Sequence, residues 1–202
     1  KFYFISGSGN KIHFSKKNLS KISKSLNKEQ KKYGISLCGG DTTFSNKLSF
    51  TITSLGYSKS IVYRNKSRLN DDIYVTGNLG DSFIGLQILK RKIKVNNKMY
   101  KFFIKRYYEP DLQKNFINNI LKLANTSIDI SDGLIDDLKK MINKQKFSFH
   151  IFEEKIPVSK ILSQLIKIKK LKKIDITSRG DDYQILFTAS PVKSRIIKKI
   201  SK

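Results

Sequence analysis

The order of strand-like and helix-like segments is the feature that most constrains the fold of this chain. Leu48, Phe50 and Ile52 alternate with small polar residues, which is the period-two pattern of a half-buried strand. Residues 15–33 instead repeat apolar side chains at helical spacing, and Gly34 follows as a typical helix stop. Segments of the two kinds alternate along the chain, and this order predicts an α/β or α+β pair of domains.

The remaining segments follow the same alternation. The predicted strands cover residues 35–38, 73–76, a stretch that ends at Ile130, 147–151 and 183–188. The predicted helices begin at Asp81, Pro110, Leu134, residue 158 and Pro191. Residues 91–109 are expected to form a loop with a short helix. A charged stretch at residues 57–72 predicts a linker between a first domain, residues 1–56, and a second domain, residues 73–202.

Composition limits the classes of protein to which the chain can belong. Its 41 lysines and arginines against 16 aspartates and glutamates give a net charge of +25, but the basic residues are spread along the whole chain. This spread favours a compositional bias at solvated positions over a nucleic-acid-binding surface. No apolar run approaches the roughly 20 residues of a membrane span. The single cysteine, Cys38, excludes an internal disulfide and is typical of a reducing cytoplasm.

Residues 39–43 read Gly-Gly-Asp-Thr-Thr and follow a predicted strand. Two glycines let the backbone approach a ligand closely. Asp41 could then bind a metal, and the threonine hydroxyls could reach phosphate oxygens. The alternative is a turn in which Asp41 caps the following segment, and the residues alone leave both interpretations open.

Residues 129–133 read Asp-Ile-Ser-Asp-Gly and lie where a predicted strand meets a predicted helix. Two carboxylates three residues apart, Asp129 and Asp132, suit a hard cation such as Mg²⁺ that keeps some of its waters. The structural alternative is that Ser131 caps the helix. Asp136 and Asp137 follow one turn later and favour the positive end of the helix dipole. The pattern favours metal binding over capping alone.

Residues 179–183 read Arg-Gly-Asp-Asp-Tyr and precede a predicted strand. Asp181 or Asp182 could hold a cationic or hydroxylated group of a substrate. The alternative is a polar loop in which one aspartate accepts hydrogen bonds from backbone amides.

Other candidate chemistry is sparse. Residues 77–81 form a glycine turn before a helix, but they lack the lysine and the spacing of a P-loop, so they are expected to be structural. His13 and His150 are isolated, and Cys38 has no histidine near it in sequence. A Ser–His or Cys–His nucleophile is therefore not expected.

Taken together and in this order, the motifs resemble those of thiamine-monophosphate kinases, a family within the ATP-binding superfamily of aminoimidazole ribonucleotide synthetase and selenophosphate synthetase. The doubled threonine after Gly-Gly-Asp points to this kinase family over its relatives. The resemblance runs from about residue 30 to 190, and its matching stretches are residues 39–43, 72–77, 79–82, 128–133 and 180–188.

The resemblance implies a two-domain α+β fold in which an N-terminal domain, here partial, pairs with a second subunit in a homodimer. A C-terminal domain would close over the nucleotide. The implied activity is phosphorylation of thiamine phosphate to thiamine diphosphate, with ATP as co-substrate and Mg²⁺ as cofactor. The reaction is direct phosphoryl transfer, which needs no protein nucleophile. The alternatives are another enzyme of the superfamily, of the selenophosphate synthetase or hydrogenase-maturation type, and a basic nucleic-acid-binding module.

The resemblance also implies roles for individual residues. Its metal ligands would be Asp41, Asp129 and Asp132. Its nucleotide contacts would be Gly40, Asp41, Arg64 and Ser131, and its substrate contacts would be Asp181 and Asp182.

The chain departs from the family pattern in three places. Arg179 replaces the first glycine of the last motif, and the family's early acidic motif and late aromatic residue have no counterpart. The chain also lacks an initiator methionine and stops within a predicted helix, so we expect a piece of a longer protein.

Overall fold

The computed structural model describes residues 1–113 and 116–201. The chain divides into two compact units, Lys1–Lys59 and Ser60–Lys202. The elements of the first unit are β1 (Phe2–Gly9), α1 (Lys16–Tyr33), β2 (Ser36–Phe44) and β3 (Ser49–Leu55). They form a sheet in the order β2-β1-β3, in which β1 runs parallel to β2 and antiparallel to β3.

Strand β1 is the centre of the first unit. Tyr3, Gly7 and Gly9 are buried while Phe4 is exposed, so one face of the strand is covered and the other is open. Helix α1 connects the two parallel strands, and it ends at Gly34, whose backbone is left-handed with φ of 60°. The helix predicted for residues 15–33 is confirmed, with Ser15 at its N-cap position.

The prediction that a short strand stops before the glycines of residues 39–43 was wrong. Strand β2 continues through Gly40 and Asp41 as far as Phe44. Its register with β1 shifts by one residue at Cys38, so that Leu37 pairs with Tyr3 and Gly39 pairs with Phe4. Gly40 pairs with Ile5, and a Cβ atom on Gly40 would collide with the Ile5 carbonyl oxygen. The close pairing of β2 with β1 therefore explains why position 40 is a glycine.

The second unit is built around another sheet. Its elements are β4 (Asp72–Val75), α2 (Asp81–Leu89), α3 (Asn97–Tyr108), α4 (Ile117–Leu123), β5 (Thr126–Ile130), α5 (Leu134–Met141), α6 (Lys160–Lys169), α7 (Lys173–Thr177), β6 (Gln184–Ala189) and α8 (Ser194–Ile200). The strand order is β4-β6-β5, and the central strand β6 is antiparallel to both neighbours. Short 3₁₀ turns occur at Glu153–Lys155 and Pro191–Lys193.

Both faces of this sheet are covered. Leu186 of β6 belongs to a core cluster with Leu134 and Leu138 of α5, whereas the next residue, Phe187, packs with Ile120 of α4 and Ile197 of α8. Successive residues of a strand point to opposite faces, so helices lie on both sides of β6. A third cluster joins α2, α3 and α6.

Two predictions for residues 91–124 need correction. The expected loop with a short helix contains a twelve-residue helix, α3, whose buried Met99 and Phe103 belong to a core cluster and whose N-cap, Asn96, accepts a hydrogen bond from the Met99 amide at 2.9 Å. The helix expected to start at Pro110 corresponds to α4, whose α-helical residues are Ile117–Leu123, and residues 110–113 are not helical. Part of that predicted helix, Lys114 and Asn115, lies outside the described residues.

The strand predicted for residues 147–151 was wrong as well. Phe149 and Ile151 pack partly against the core, but the segment pairs with no strand in the described part of the chain. It lines a groove of about 1000 Å³ whose wall also includes residues of β4. In residues 1–113 and 116–201, no helix has the length and apolar character needed to cross a membrane.

Candidate functional site

The end of β5 carries the first group of candidate residues. Asp129 is exposed on the strand, while Ile130 beside it is fully buried. The chain then turns through Ser131 and Asp132 into α5. Asp137 fixes this turn, because one of its carboxylate oxygens accepts the backbone N–H groups of residues 131, 132 and 133 at 3.0, 2.9 and 3.0 Å.

The Asp137 side chain is nearly inaccessible, with an exposed fraction of 1%. Burial raises the pKa of its carboxyl, and the backbone N–H groups that it accepts act in the opposite direction. Lys140 lies on the same helix, 3.3 Å from the other oxygen of Asp137, and forms an ion pair with Asp132. Asp137 therefore supports the turn, and Lys140 places a positive charge at its surface.

The loop before β6 is attached to this turn. The Asp181 amide donates to the Ser131 carbonyl at 3.0 Å, and the Tyr183 amide donates to the Ile130 carbonyl at 2.8 Å. Gly180 lies so close that a Cβ atom there would collide with the Ser131 carbonyl oxygen. The sequence needs glycine at this position because two backbones meet.

Asp182 points into the protein and is only 3% exposed. Its carboxylate accepts the Gly80 amide at 2.7 Å and the Ser82 amide at 3.3 Å, at the amino end of α2. Burial raises the pKa of Asp182 to about 7, against the effect of these two amides. Backbone amides therefore hold the Asp182 carboxylate in place, as in the polar-loop interpretation of residues 179–183.

Asp81 is the second buried carboxyl at this helix end. It accepts the Ser159 hydroxyl at 2.7 Å, and burial raises its pKa to about 6 while the Arg106 charge acts to lower it. A polar cavity of about 50 Å³ borders Asp81, Asp182 and Arg106. The polar groups of Asp81, Asp182 and Arg106 already have partners, and a cavity of this size offers little room for a ligand.

The structure brings four of the predicted site residues to one end of the second sheet. Asp129, Ser131 and Asp132 lie at the carboxyl end of β5, and Asp181 is bonded to Ser131 from the neighbouring loop. This grouping depends on the antiparallel pairing of β5 with β6, which places the end of one strand beside the start of the other.

Arg64 lies elsewhere in the same unit. The Tyr63 carbonyl accepts the hydroxyl of Thr126, the first residue of β5, and the Asn65 amide donates to the carbonyl of Met141 at the end of α5. Arg64 is exposed between these two attachments. Its backbone is therefore at the opposite end of β5 from Asp129, roughly 10 Å along the strand.

Gly40 and Asp41 belong to the first unit. Asp41 pairs with Ser6 of β1 and is exposed, and its side chain accepts the amide of its neighbour Thr42 at 2.7 Å. A side chain that accepts the next backbone amide keeps its second oxygen free for a ligand.

The carboxylates at the end of β5 suit a metal site of limited ligand number. No group of three or more histidine, cysteine, aspartate or glutamate residues converges on one point in the described ranges. Asp129 and Asp132 supply two carboxylates, and Mg²⁺ is commonly held in proteins by one or two carboxylates together with waters and phosphate oxygens. The donor set therefore fits Mg²⁺ that is bound together with a phosphorylated ligand.

Sequence patterns did not identify three residues that shape this site. Asp137 was assigned only to the helix dipole, and Lys140 and Asp81 were given no role. The spacing of Asp137 and Lys140 by three residues on a helix is a local signal that could have linked them. The contact between Asp182 and residues 80–82 joins segments that are far apart in sequence, and no local signal predicts it.

Comparison with known proteins places these motifs in context. No family model matches the chain. The chain is 37% identical over 186 residues to a thiamine-monophosphate kinase of Buchnera aphidicola subsp. Schizaphis graminum, a match that covers 91% of this chain and 56% of that relative. The chain thus spans little more than half the length of this curated relative.

Solved structures give the same picture. AaThiL complexed with AMPPCP and TMP superimposes with a TM-score of 0.84 and 28% identity, over 96% of this chain and 62% of that one. Escherichia coli HypE gives a TM-score of 0.76 at 12% identity over all of this chain and 62% of that one, which shows a likeness of fold alone. The predicted two-domain α+β fold of this superfamily is confirmed.

Proposed function

Because this chain belongs to the thiamine-monophosphate kinase family, we propose that it takes part in the ATP- and Mg²⁺-dependent phosphorylation of thiamine phosphate to thiamine diphosphate. The observation that carries the proposal is the likeness, at a TM-score of 0.84, to AaThiL complexed with AMPPCP and TMP. The superfamily alternatives receive less support, since the likeness to HypE comes with only 12% identity.

In the proposed reaction an oxygen of the thiamine phosphate attacks the γ-phosphorus of ATP. A new P–O bond forms, the bond between the γ-phosphorus and the β,γ-bridging oxygen breaks, and ADP leaves with the electron pair. Both reactants are anions, so binding them side by side requires positive charge and hydrogen-bond donors.

The residues at the end of β5 suit this task. Asp129 and Asp132 would hold Mg²⁺, and Ser131 between them would contact ATP. When bound, Mg²⁺ would neutralise phosphate charge and align the two reactants. Lys140, already beside Asp132, adds a fixed positive charge at the same surface.

The remaining assignments follow from the resemblance. We propose that Asp181 contacts thiamine phosphate, that Arg64 contacts ATP, and that Gly40 and Asp41 contribute to the nucleotide and metal sites. The Asp181 amide donates to the Ser131 carbonyl, which keeps Asp181 beside the turn that carries the proposed metal ligands. Asp182, which resemblance also assigned to the substrate, is better explained by the amides that it accepts. A homodimer and a cytoplasmic location remain part of the proposal, the latter supported by the single cysteine.

The test begins with calorimetric titration of the chain with a non-hydrolysable ATP analogue, with and without Mg²⁺. Asp129→Asn and Asp132→Asn are then compared with Asp136→Asn. Asp136 is an exposed carboxylate on α5 whose only ion pair in the described ranges is with Lys139 at 3.5 Å. Asp136 therefore matches Asp129 and Asp132 in charge and lies near them in sequence, but it is not one of the proposed metal ligands.

We expect Mg²⁺-dependent binding that weakens at least about tenfold in the two site variants and is unchanged in Asp136→Asn. Formation of thiamine diphosphate from thiamine phosphate and ATP is then measured for the same four proteins. Equal nucleotide binding by all four, with the fold intact by circular dichroism, would contradict the metal role. Mg²⁺-dependent binding without any transfer to thiamine phosphate would contradict the proposed substrate.

A further inference from the structure

The loop before β6 is held from two sides. Its outer side is attached to the turn after β5 through the amides of Asp181 and Tyr183. Asp182, which lies between them, points the other way and accepts the amides of Gly80 and Ser82. Three consecutive residues, 181–183, thus connect the turn after β5 to the amino end of α2.

The backbone of this loop needs such support. Asp181 has φ of 71° and Tyr183 has φ of 51°, so two non-glycine residues adopt the left-handed conformation within three positions. This conformation is unfavourable for residues with a Cβ atom and persists where surrounding contacts determine it. The chain resumes a regular strand only at Gln184.

The amino end of α2 is a suitable anchor for the loop. Its free amides and the positive end of its dipole attract a carboxylate, and a buried acid that accepts two N–H groups is rigidly placed. Asp182 is 3% exposed, so water does not compete for these bonds. The carboxylate of Asp81, the neighbouring buried acid, instead accepts the Ser159 hydroxyl of another segment.

We propose that Asp182 is a positioning residue, whose buried carboxylate fixes the loop to the amino end of α2 and so holds Asp181 against the turn that carries Ser131 and Asp132. This inference rests on the proposed function, because Asp181 is there the residue that contacts thiamine phosphate. Asp182 itself would touch neither reactant. Its loss should therefore affect recognition of thiamine phosphate and leave nucleotide binding intact.

The direct test is amide hydrogen exchange of the whole chain, resolved by residue. Asp182→Asn keeps the shape of the side chain but replaces one accepting oxygen with an N–H₂ group. We expect exchange at the Asp181 and Tyr183 amides to become about tenfold faster relative to the Asn125 amide. The Asn125 amide donates to Thr188 at the other end of the sheet and serves as the internal reference.

Asp81→Asn is the matched control, since it also removes a buried carboxylate from the start of α2. We expect it to leave the two exchange ratios unchanged. Unchanged ratios in Asp182→Asn, or an equal increase in Asp81→Asn, would overturn the positioning role. Asp182→Ser replaces the asparagine variant if the latter does not fold, and failure of both to fold would also contradict a local role.

Kinetics separate this inference from the function on which it rests. With Asp182→Asn we expect the KM for thiamine phosphate to rise about tenfold while the KM for ATP stays unchanged. An equal rise in the KM values for thiamine phosphate and for ATP would contradict the proposal that Asp182 affects only the recognition of thiamine phosphate. If the unaltered chain shows no transfer to thiamine phosphate but the exchange result holds, the kinase proposal fails and the structural role of Asp182 stands.

Discussion

Three aspartates are almost completely buried in the second unit of a chain with very few acids. Asp137 and Asp182 accept backbone amides at the start of a helix, and Asp81 accepts a serine hydroxyl. Burying a carboxylate is unfavourable unless its lone pairs are hydrogen-bonded, and free amides at helix starts meet that need. The buried acids therefore hold loops in place, while the exposed ones, such as Asp129, are available to a ligand.

Burial of Asp81 and Asp182 predicts how stability depends on pH. Their pKa values are raised to about 6 and about 7 in the folded protein, so the folded state binds these protons more tightly than the unfolded state. The free energy of unfolding should therefore contain a contribution that is present below about pH 4 and is lost as the pH rises to about 7.

The measurement is urea unfolding across this pH range for the unaltered chain and Asp182→Asn. The general charge of the protein affects both curves alike, so their difference isolates Asp182. We expect the difference to change most between about pH 5 and pH 6, where the unfolded chain has lost this proton and the folded protein still holds it, on the order of 1.4 kcal/mol per pH unit. A difference that is constant across the range would show that Asp182 has an ordinary pKa.

The contact at Gly180 predicts a large effect of a small change. In Gly180→Ala the new methyl group would collide with the Ser131 carbonyl oxygen, and two backbones would have to separate. We expect a loss of about 2 kcal/mol or more in the free energy of unfolding of the second unit. Gly39→Ala is the control, because its Cβ atom would meet only the Phe4 ring at 3.8 Å, an ordinary contact. Equal stability of the two variants would refute the close approach.

At the level of elements, Ser159 couples two helices. It is the N-cap of α6, accepting the Leu162 amide at 3.0 Å, and its hydroxyl also donates to Asp81 of α2. Ser159→Ala should therefore cost about 2 to 3 kcal/mol, since it removes a cap and leaves a buried carboxyl without its donor. Asn96→Ala, which removes only the cap of α3, should cost about 1 kcal/mol. Thermal unfolding of both variants tests this order.

The elements that sequence predicted correctly are those with strong local signals. Helix α1 has an apolar stripe and a glycine stop, and β6 has a continuous apolar run. The alternating residues 147–151 carried an equally strong local signal, yet no strand edge in the described structure pairs with them. Periodicity indicates that a segment can form a strand, whereas pairing depends on what the rest of the chain brings beside it.

The candidate site also contains features that the sequence predicts and features that it does not. The motif that contains Asp129, Ser131 and Asp132 could be read from sequence because its residues are neighbours. The sequence could not indicate that Asp182 turns inward while Asp181 turns towards Ser131, because this depends on amides about a hundred residues away. Asp181 and Asp182 look equivalent in the sequence, and only the folded structure shows that their contacts differ.

At the level of the whole molecule, the two sheets differ in when their central strand is synthesised. In the first sheet the central strand β1 precedes both of its partners. In the second sheet the central strand β6 follows both β4 and β5, and Asp72 finds its partner only at Ala189. During translation the first sheet can therefore assemble as each partner leaves the ribosome. Among the strands of residues 1–113 and 116–201, β4 and β5 gain their partner only when β6 emerges, and until then both are exposed to aggregation and to chaperones in the nascent chain.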